Sequence, residues 1–178
     1  MNKKGEIVKK VVLDEDIVRI KSLFEKLHKK YGDKAVELIK QLEQEEFVPL
    51  SIFSSKTSPL ESLCYYMHKE KNHNLSEIGE LLGRSQKTIW QAVNDAKKKN
   101  TSFNVNTIDE RYNIPVSLFS DRTFSILENL CIYLRDNFHL KYSEIAFLLN
   151  KNQRTIWTCC NRAKKKAATQ FKKQSKMK

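Results

Sequence analysis

Apolar residues recur along this chain at spacings of three and four, the signature of helices with one buried face; sustained strict alternation is lacking. Ile17, Ile20, Phe24 and Leu27 fall on one stripe, with Val18 and Leu23 beside them. The spacing predicts a helix capped at Asp14 and running to about Lys30, where Tyr31-Gly32 stops it. Asp33 then caps a second helix with Val36, Ile39 and Leu42 on one face, ending near Glu46. Residues 1–47 are thus expected to form an N-terminal helical hairpin, too small for a core of its own. It either braces the rest of the chain or pairs with a second copy as a homodimer. Further on, Ser58-Pro59 is a helix start, with proline at the first helical position and serine before it as cap. That helix carries Leu60, Leu63, Cys64 and Met67 to about Lys71, and Leu127, Leu130, Cys131 and Leu134 repeat the same spacing. The expected fold class is all-α.

The recurrence is part of an internal duplication. Val48-Pro49-Leu50-Ser51-Ile52-Phe53-Ser54 matches Ile114-Pro115-Val116-Ser117-Leu118-Phe119-Ser120. After a one-residue insertion, residues 60–99 align with 127–166 without gaps, and roughly 19 of about 40 positions are identical. That is far above chance and assigns both segments the same local structure. Two copies are too few for a solenoid, so each unit carries its own small core or pairs with the other. The expected organisation is hairpin 1–47, unit 48–99, polar linker 100–113, unit 114–166 and basic tail 167–178. The tail is expected to fray or to lack fixed structure. The linker's 14 residues, counted from Asn100 to Asn113, could extend about 45 Å.

Within each unit the pattern predicts a helix-turn-helix: a short first helix, a tight turn and a second helix lying across it. Ser76 and Ser143 are the candidate caps of the first helix; Ile78 and Leu82, or Ile145 and Leu149, face inward; Gly79 and Ala146 let the second helix approach. Gly83 and Asn150 fall at the turn and are the residue types that best tolerate a left-handed backbone. Ile89 with Ala92, and Ile156 with Cys159, anchor the second helix. Arg84 and Lys151 stand after the turn, where an apolar residue is usual, so these side chains either open the turn or point at phosphate.

The segments Glu144-Ile145-Ala146, Leu148-Leu149-Asn150, Thr155-Ile156 and Arg162-Ala163-Lys164-Lys165 resemble the helix-turn-helix domain in the fourth conserved region of bacterial RNA polymerase sigma factors. The resemblance covers about 50 residues in each copy and implies DNA binding and a contact with RNA polymerase. The tandem duplication and the Ile-Trp after the threonine depart from the sigma pattern, and no promoter-melting region accompanies the motif, so sigma activity itself is not implied. The I-P-x-S-[IL]-F and R-T-I-W segments are also reminiscent of an archaeal helix-turn-helix family.

Charge agrees with a nucleic-acid partner. The chain carries a net +12, divided as +1 over residues 1–47, +2 over 48–113 and +9 over 114–178. This places the electrostatic footprint on the second unit and its tail, beyond what solubility alone requires. The expected DNA-reading set on the first unit is Arg84, Ser85, Gln86, Lys87, Thr88, Trp90, Gln91 and Asn94, with Lys97, Lys98 and Lys99 for phosphate. On the second it is Lys151, Asn152, Gln153, Arg154, Thr155, Trp157, Thr158, Asn161 and Arg162, with Lys164, Lys165 and Lys166. Gln and Asn can pair bidentately with adenine, Lys and Arg with guanine, and the lysine runs suit phosphate neutralisation. Those lysines equally complement a helix C-terminal dipole. Trp90 and Trp157 fit two readings, packing against the first helix of their unit or contacting DNA.

The expected function is a non-enzymatic, sequence-reading double-stranded DNA-binding protein, a transcription regulator; the alternative is an architectural or DNA-bridging protein with little sequence preference. RNA is disfavoured because stacking modules are lacking. No Gly-rich phosphate loop, metal cluster or catalytic set is legible, and His28, His68, His73 and His139 read as capping or solvent-facing, so no cofactor or metal is expected. The cysteines (Cys64, Cys131, Cys159, Cys160) lack metal-ligand spacing and read as small buried apolar groups in a reducing cytoplasm, with zinc ligation or a disulfide as the other reading. No apolar run approaches the ~20 residues of a membrane span, and the charged Met1-Asn2-Lys3-Lys4-Gly5 start lacks the apolar core of a secretory signal. The expected location is the cytoplasm, at the nucleoid.

Overall fold

The chain is mostly helical. The computed structural model describes residues 15–103 and 112–175. Asp14, the middle of the linker and the end of the tail lie outside the described residues, as does the Leu42 side chain. No helix among the described residues is long and apolar enough to cross a membrane.

The described residues separate into two compact units, divided between Glu45 and Glu46. In the first, α1 (Glu15–Tyr31) and α2 (Lys34–Gln44) form the expected hairpin. Gly32 turns the chain at φ +57°, and its amide donates to the His28 carbonyl, 2.7 Å away. Ile17, Val18, Ile20, Leu23, Phe24 and Val36 are exposed, so their stripe is not used up within the hairpin.

The second unit contains both repeats. Each runs from a three-residue strand through a 3-10 turn into three helices. The first has β1 (Phe47–Pro49), a 3-10 helix (Leu50–Ser54), α3 (Pro59–Lys69), α4 (Leu75–Leu81) and α5 (Gln86–Lys98). The second has β2 (Asn113–Pro115), a 3-10 helix (Val116–Phe119), α6 (Ile126–Phe138), α7 (Tyr142–Leu148) and α8 (Gln153–Ser175). The strands modify the all-helical expectation. Three residues, one of them proline, give no alternation to read, yet they form the seam between the repeats.

At that seam the two repeats meet through equivalent segments, related about the central pair Val48 and Ile114. β1 and β2 pair antiparallel with Val48 opposite Ile114, the two positions the duplication aligns. Phe53 and Phe119, also equivalent, pack ring to ring at 5.7 Å. The flanking backbone bonds are reciprocal: the Leu50 amide donates to the Tyr112 carbonyl (3.1 Å), and the Val116 amide to the Glu46 carbonyl (2.8 Å). A Cβ on Gly83 would lie 2.9 Å from the Ser120 carbonyl oxygen, and Asn150, in the matching turn, donates from Nδ2 to the Ser54 carbonyl at 3.4 Å. An isologous set of this kind defines a local pseudo-two-fold axis.

One core serves both repeats. Ile52, Phe53, Leu63, Ile78, Leu82 and Ile89 belong to the same buried cluster as Phe119, Leu130, Leu134, Ile145, Leu149 and Ile156. The repeats therefore pair, and the linker does not let them act as separate domains. Its start folds back, with Phe103 against the rings of Tyr65 and Tyr66.

Candidate nucleic-acid interface

Each candidate reading helix is fixed by its neighbours at two levels. α3 and α6 start in capping boxes: Ser58 Oγ accepts from the Glu61 amide while Glu61 accepts from the Ser58 amide, and Ser125 and Glu128 do the same. The C-terminal end of α5 and the middle of α8 are then tied to those boxes. Lys99 Nζ donates to Glu61 Oε2 at 2.7 Å, and Lys166 Nζ to Glu128 Oε2 at 2.6 Å. Burial pushes the Glu128 carboxyl up, but the hydrogen bond from Lys166, the Ser125 amide and the Lys166 charge outweigh it and hold it below its ordinary value.

α4 and α7 supply the second level. Asn74, not Ser76, caps α4: its Oδ1 accepts from the amides of Ser76 and Glu77, both at 2.9 Å. In α7 the Glu144 carboxylate accepts from the Lys141 amide. Ser76 and Ser143 are inside the first turns, because each helix begins earlier than expected. The turns between helices are as expected: Gly83 has φ +59° and Asn150 has φ +50°. Ile78, Leu82 and Ile89, with Ile145, Leu149 and Ile156, are fully buried.

What remains outside is a polar, basic face on each second helix. Gln86, Lys87, Gln91, Lys97 and Lys98 are exposed on α5; Gln153, Arg154, Arg162, Lys164 and Lys165 are exposed on α8, with Asn152 just before it. Thr88 and Thr155 are exposed beside them, and Asn94, Thr158 and Asn161 are half-buried at the edge. Trp90 and Trp157 are 54% and 53% exposed. Neither is a core residue. Trp90 lines a shallow groove with Ser58, Leu60 and Gln91 and leaves much of its ring open to solvent. The two tryptophans occupy equivalent places in the two repeats and are exposed to nearly the same extent.

Several expected contacts are already engaged elsewhere. Lys151 Nζ donates across the seam to the Ser55 carbonyl at 3.2 Å, and Arg84 lines a cleft with Arg122 and Phe124 of the other repeat. Both side chains serve the seam rather than the outer face, because the turn they follow abuts the opposite 3-10 helix. Ser85 is the N-cap of α5: its Oγ accepts from the Thr88 amide and lies 2.9 Å from the Thr88 hydroxyl. Lys99 and Lys166 are held by Glu61 and Glu128 as described.

Two features were not read from the sequence. Asp95 accepts from Gln91 Nε2 at 2.9 Å, so an acid sits on α5 where α8 has Arg162. The substitution was visible in the alignment; its pairing with Gln91 follows from i,i+4 geometry. His73 is the other. It is bonded through Nε2 to Glu46 at 2.8 Å and through Nδ1 to Glu77 at 3.3 Å. Partial burial opposes its charge, but the Glu46 and Glu77 bonds raise its pKa above 6.5.

All four cysteines are free and buried. Burial pushes the Cys64 thiol up to about 12. Cys131 on α6 is hydrogen-bonded to Cys159 and Cys160 on α8, which raises Cys131. Cys160 is lowered to about 7 by that bond and, against its burial, by the nearby Arg135. No protein-family model, curated protein or solved structure matches the chain.

Proposed function

We propose that this chain is a sequence-reading double-stranded DNA-binding protein, a transcription regulator without catalysis of its own, working at the nucleoid. In this reading α4–α5 and α7–α8 are two helix-turn-helix motifs, and α5 and α8 enter the major groove. The observation that carries the reading is the pair of exposed Gln-Lys/Arg…Trp faces, Gln86-Lys87…Trp90 and Gln153-Arg154…Trp157, on the second helices after tight turns. A helix about 10–12 Å across fits a major groove about 12 Å wide. Gln and Lys/Arg at its N-terminal half are the groups that pair with adenine and guanine edges. The sigma-like segments of α7–α8 support a contact with RNA polymerase as well.

Binding to labelled duplex fragments, followed by anisotropy, tests this. The variant Q86A/K87A/Q153A/R154A should keep its helical circular dichroism and lose at least ~10-fold in affinity, about 1.4 kcal/mol. Unchanged affinity would remove α5 and α8 from the interface. A-form RNA should compete poorly, its major groove being too narrow for a helix.

The exposed apolar stripe of α1 and α2 favours a second reading, DNA bridging. A homodimer through the hairpin would join two DNA-binding bodies. Duplex competition separates the readings: a bridging protein loses little affinity between specific and scrambled duplexes.

A further inference from the structure

The symmetry of the seam constrains the target. We infer that the chain is an intramolecular pseudo-dimer whose two reading helices address an inverted repeat, with half-sites at one fixed spacing. The inference rests on the DNA-reading proposal above and adds the symmetry and rigidity of the site.

The first step is geometric. The antiparallel register places Val48 opposite its counterpart Ile114, and Phe53 packs on its counterpart Phe119. Leu50 and Val116 make reciprocal bonds to Tyr112 and Glu46. These contacts are those of a two-fold axis, not of a translation between tandem domains. A two-fold rotation leaves directions along its axis unchanged. Whatever part of the α5 face looks along the axis, the α8 face looks the same way, so both helices can meet one duplex from one side. A direct repeat would require one unit to be turned by half a revolution against the seam. Duplex DNA has two-fold axes of its own perpendicular to its length, and a two-fold reader selects a palindromic site.

The second step concerns spacing. The turn before α5 abuts Ser120, and the turn before α8 bonds to Ser54. The N-terminal ends of both reading helices are thus held against the opposite repeat, close to the axis. A shared core fixes their separation; the linker does not. Half-sites at one spacing, centred no more than about one helical turn or roughly 10 base pairs apart, are accommodated, and other spacings are not. The repeats differ on their reading faces, Lys87 against Arg154 and Gln91 against Thr158. The palindrome should therefore be imperfect at the positions those residues face.

In-vitro selection from a random duplex pool with the full chain tests this, followed by titration of three duplexes. These are the selected site, the same site with one half reversed into a direct repeat, and the same site with about 5 base pairs, half a turn, inserted at its centre. The expected result is an enriched imperfect inverted repeat and at least ~10-fold weaker binding to both altered duplexes. An enriched direct repeat, a lone half-site, or indifference to the insertion would overturn the pseudo-dimer inference while leaving DNA reading intact. Binding without any enriched sequence would overturn it too and favour the bridging reading. Failure to bind any duplex would overturn the DNA-binding proposal itself.

Discussion

His73 joins the residue before β1 to α4 by bonding Glu46 and Glu77, and this makes the seam sensitive to pH. Its folded pKa is raised above 6.5. The stabilisation is therefore present in full below the unfolded value and is lost as pH rises through the folded one. Proton NMR of the ring should show a titration midpoint above 6.5, and His73→Gln should flatten the stability profile in that window. A midpoint at or below the ordinary histidine value would break this assignment. Lys166 gives a second test at this scale. It partners Glu128, whose side chain is 6% exposed, whereas the equivalent Lys99 partners Glu61 at 14%. Lys166→Ala strands a buried carboxylate and should cost ~1–3 kcal/mol in denaturant unfolding. Lys99→Ala should cost less. These lysines were expected on phosphate because a lysine run looks uniform in sequence. Its members differ only in where the helix turns each of them, and the third of each run faces its own capping box.

At the scale of elements, the turns between the paired helices were the most legible. A left-handed backbone position accepts few residue types, so Gly83 and Asn150 stood out. Gly83→Ala adds a methyl 2.9 Å from the Ser120 carbonyl at positive φ and should destabilise by ~1–3 kcal/mol, read as a lower denaturant midpoint with an unchanged slope. Asn150→Gly keeps the backbone and loses one 3.4 Å bond, so its effect should stay below ~1 kcal/mol. A smaller loss for Gly83→Ala than for Asn150→Gly would contradict the cross-repeat packing of the turns. The helix caps were less legible. Asn74 lies two residues before Ser76, and both are good caps; only the side-chain bonds decide between them. The strands were not legible at all, since β1 and β2 exist by pairing with each other and carry no periodicity.

For the molecule as a whole, the duplication was plain in the sequence but its consequence was not. Repetition shows that two units share a fold; only the contacts at Val48, Ile114, Phe53 and Phe119 show that they share a core. Residues 46–178 should therefore unfold in one cooperative transition, and separated halves should fail to fold, since each would expose its share of that core. Charge asymmetry is also expressed at this scale. With Asp95 on α5 and Arg162 on α8, the second repeat should hold DNA more tightly. In the full chain, Lys164→Ala/Lys165→Ala should lower affinity more than Lys97→Ala/Lys98→Ala, and each pair lost from phosphate should reduce the salt slope by about 2. The most direct measurement is amide chemical-shift mapping of the isotope-labelled chain on titration with a duplex it binds. The expected result is perturbation concentrated at the N-terminal ends of both α5 and α8, around Gln86–Gln91 and Gln153–Thr158, in the same titration step. Perturbation of one helix alone, or of the α1–α2 hairpin without either, would contradict a paired reading surface.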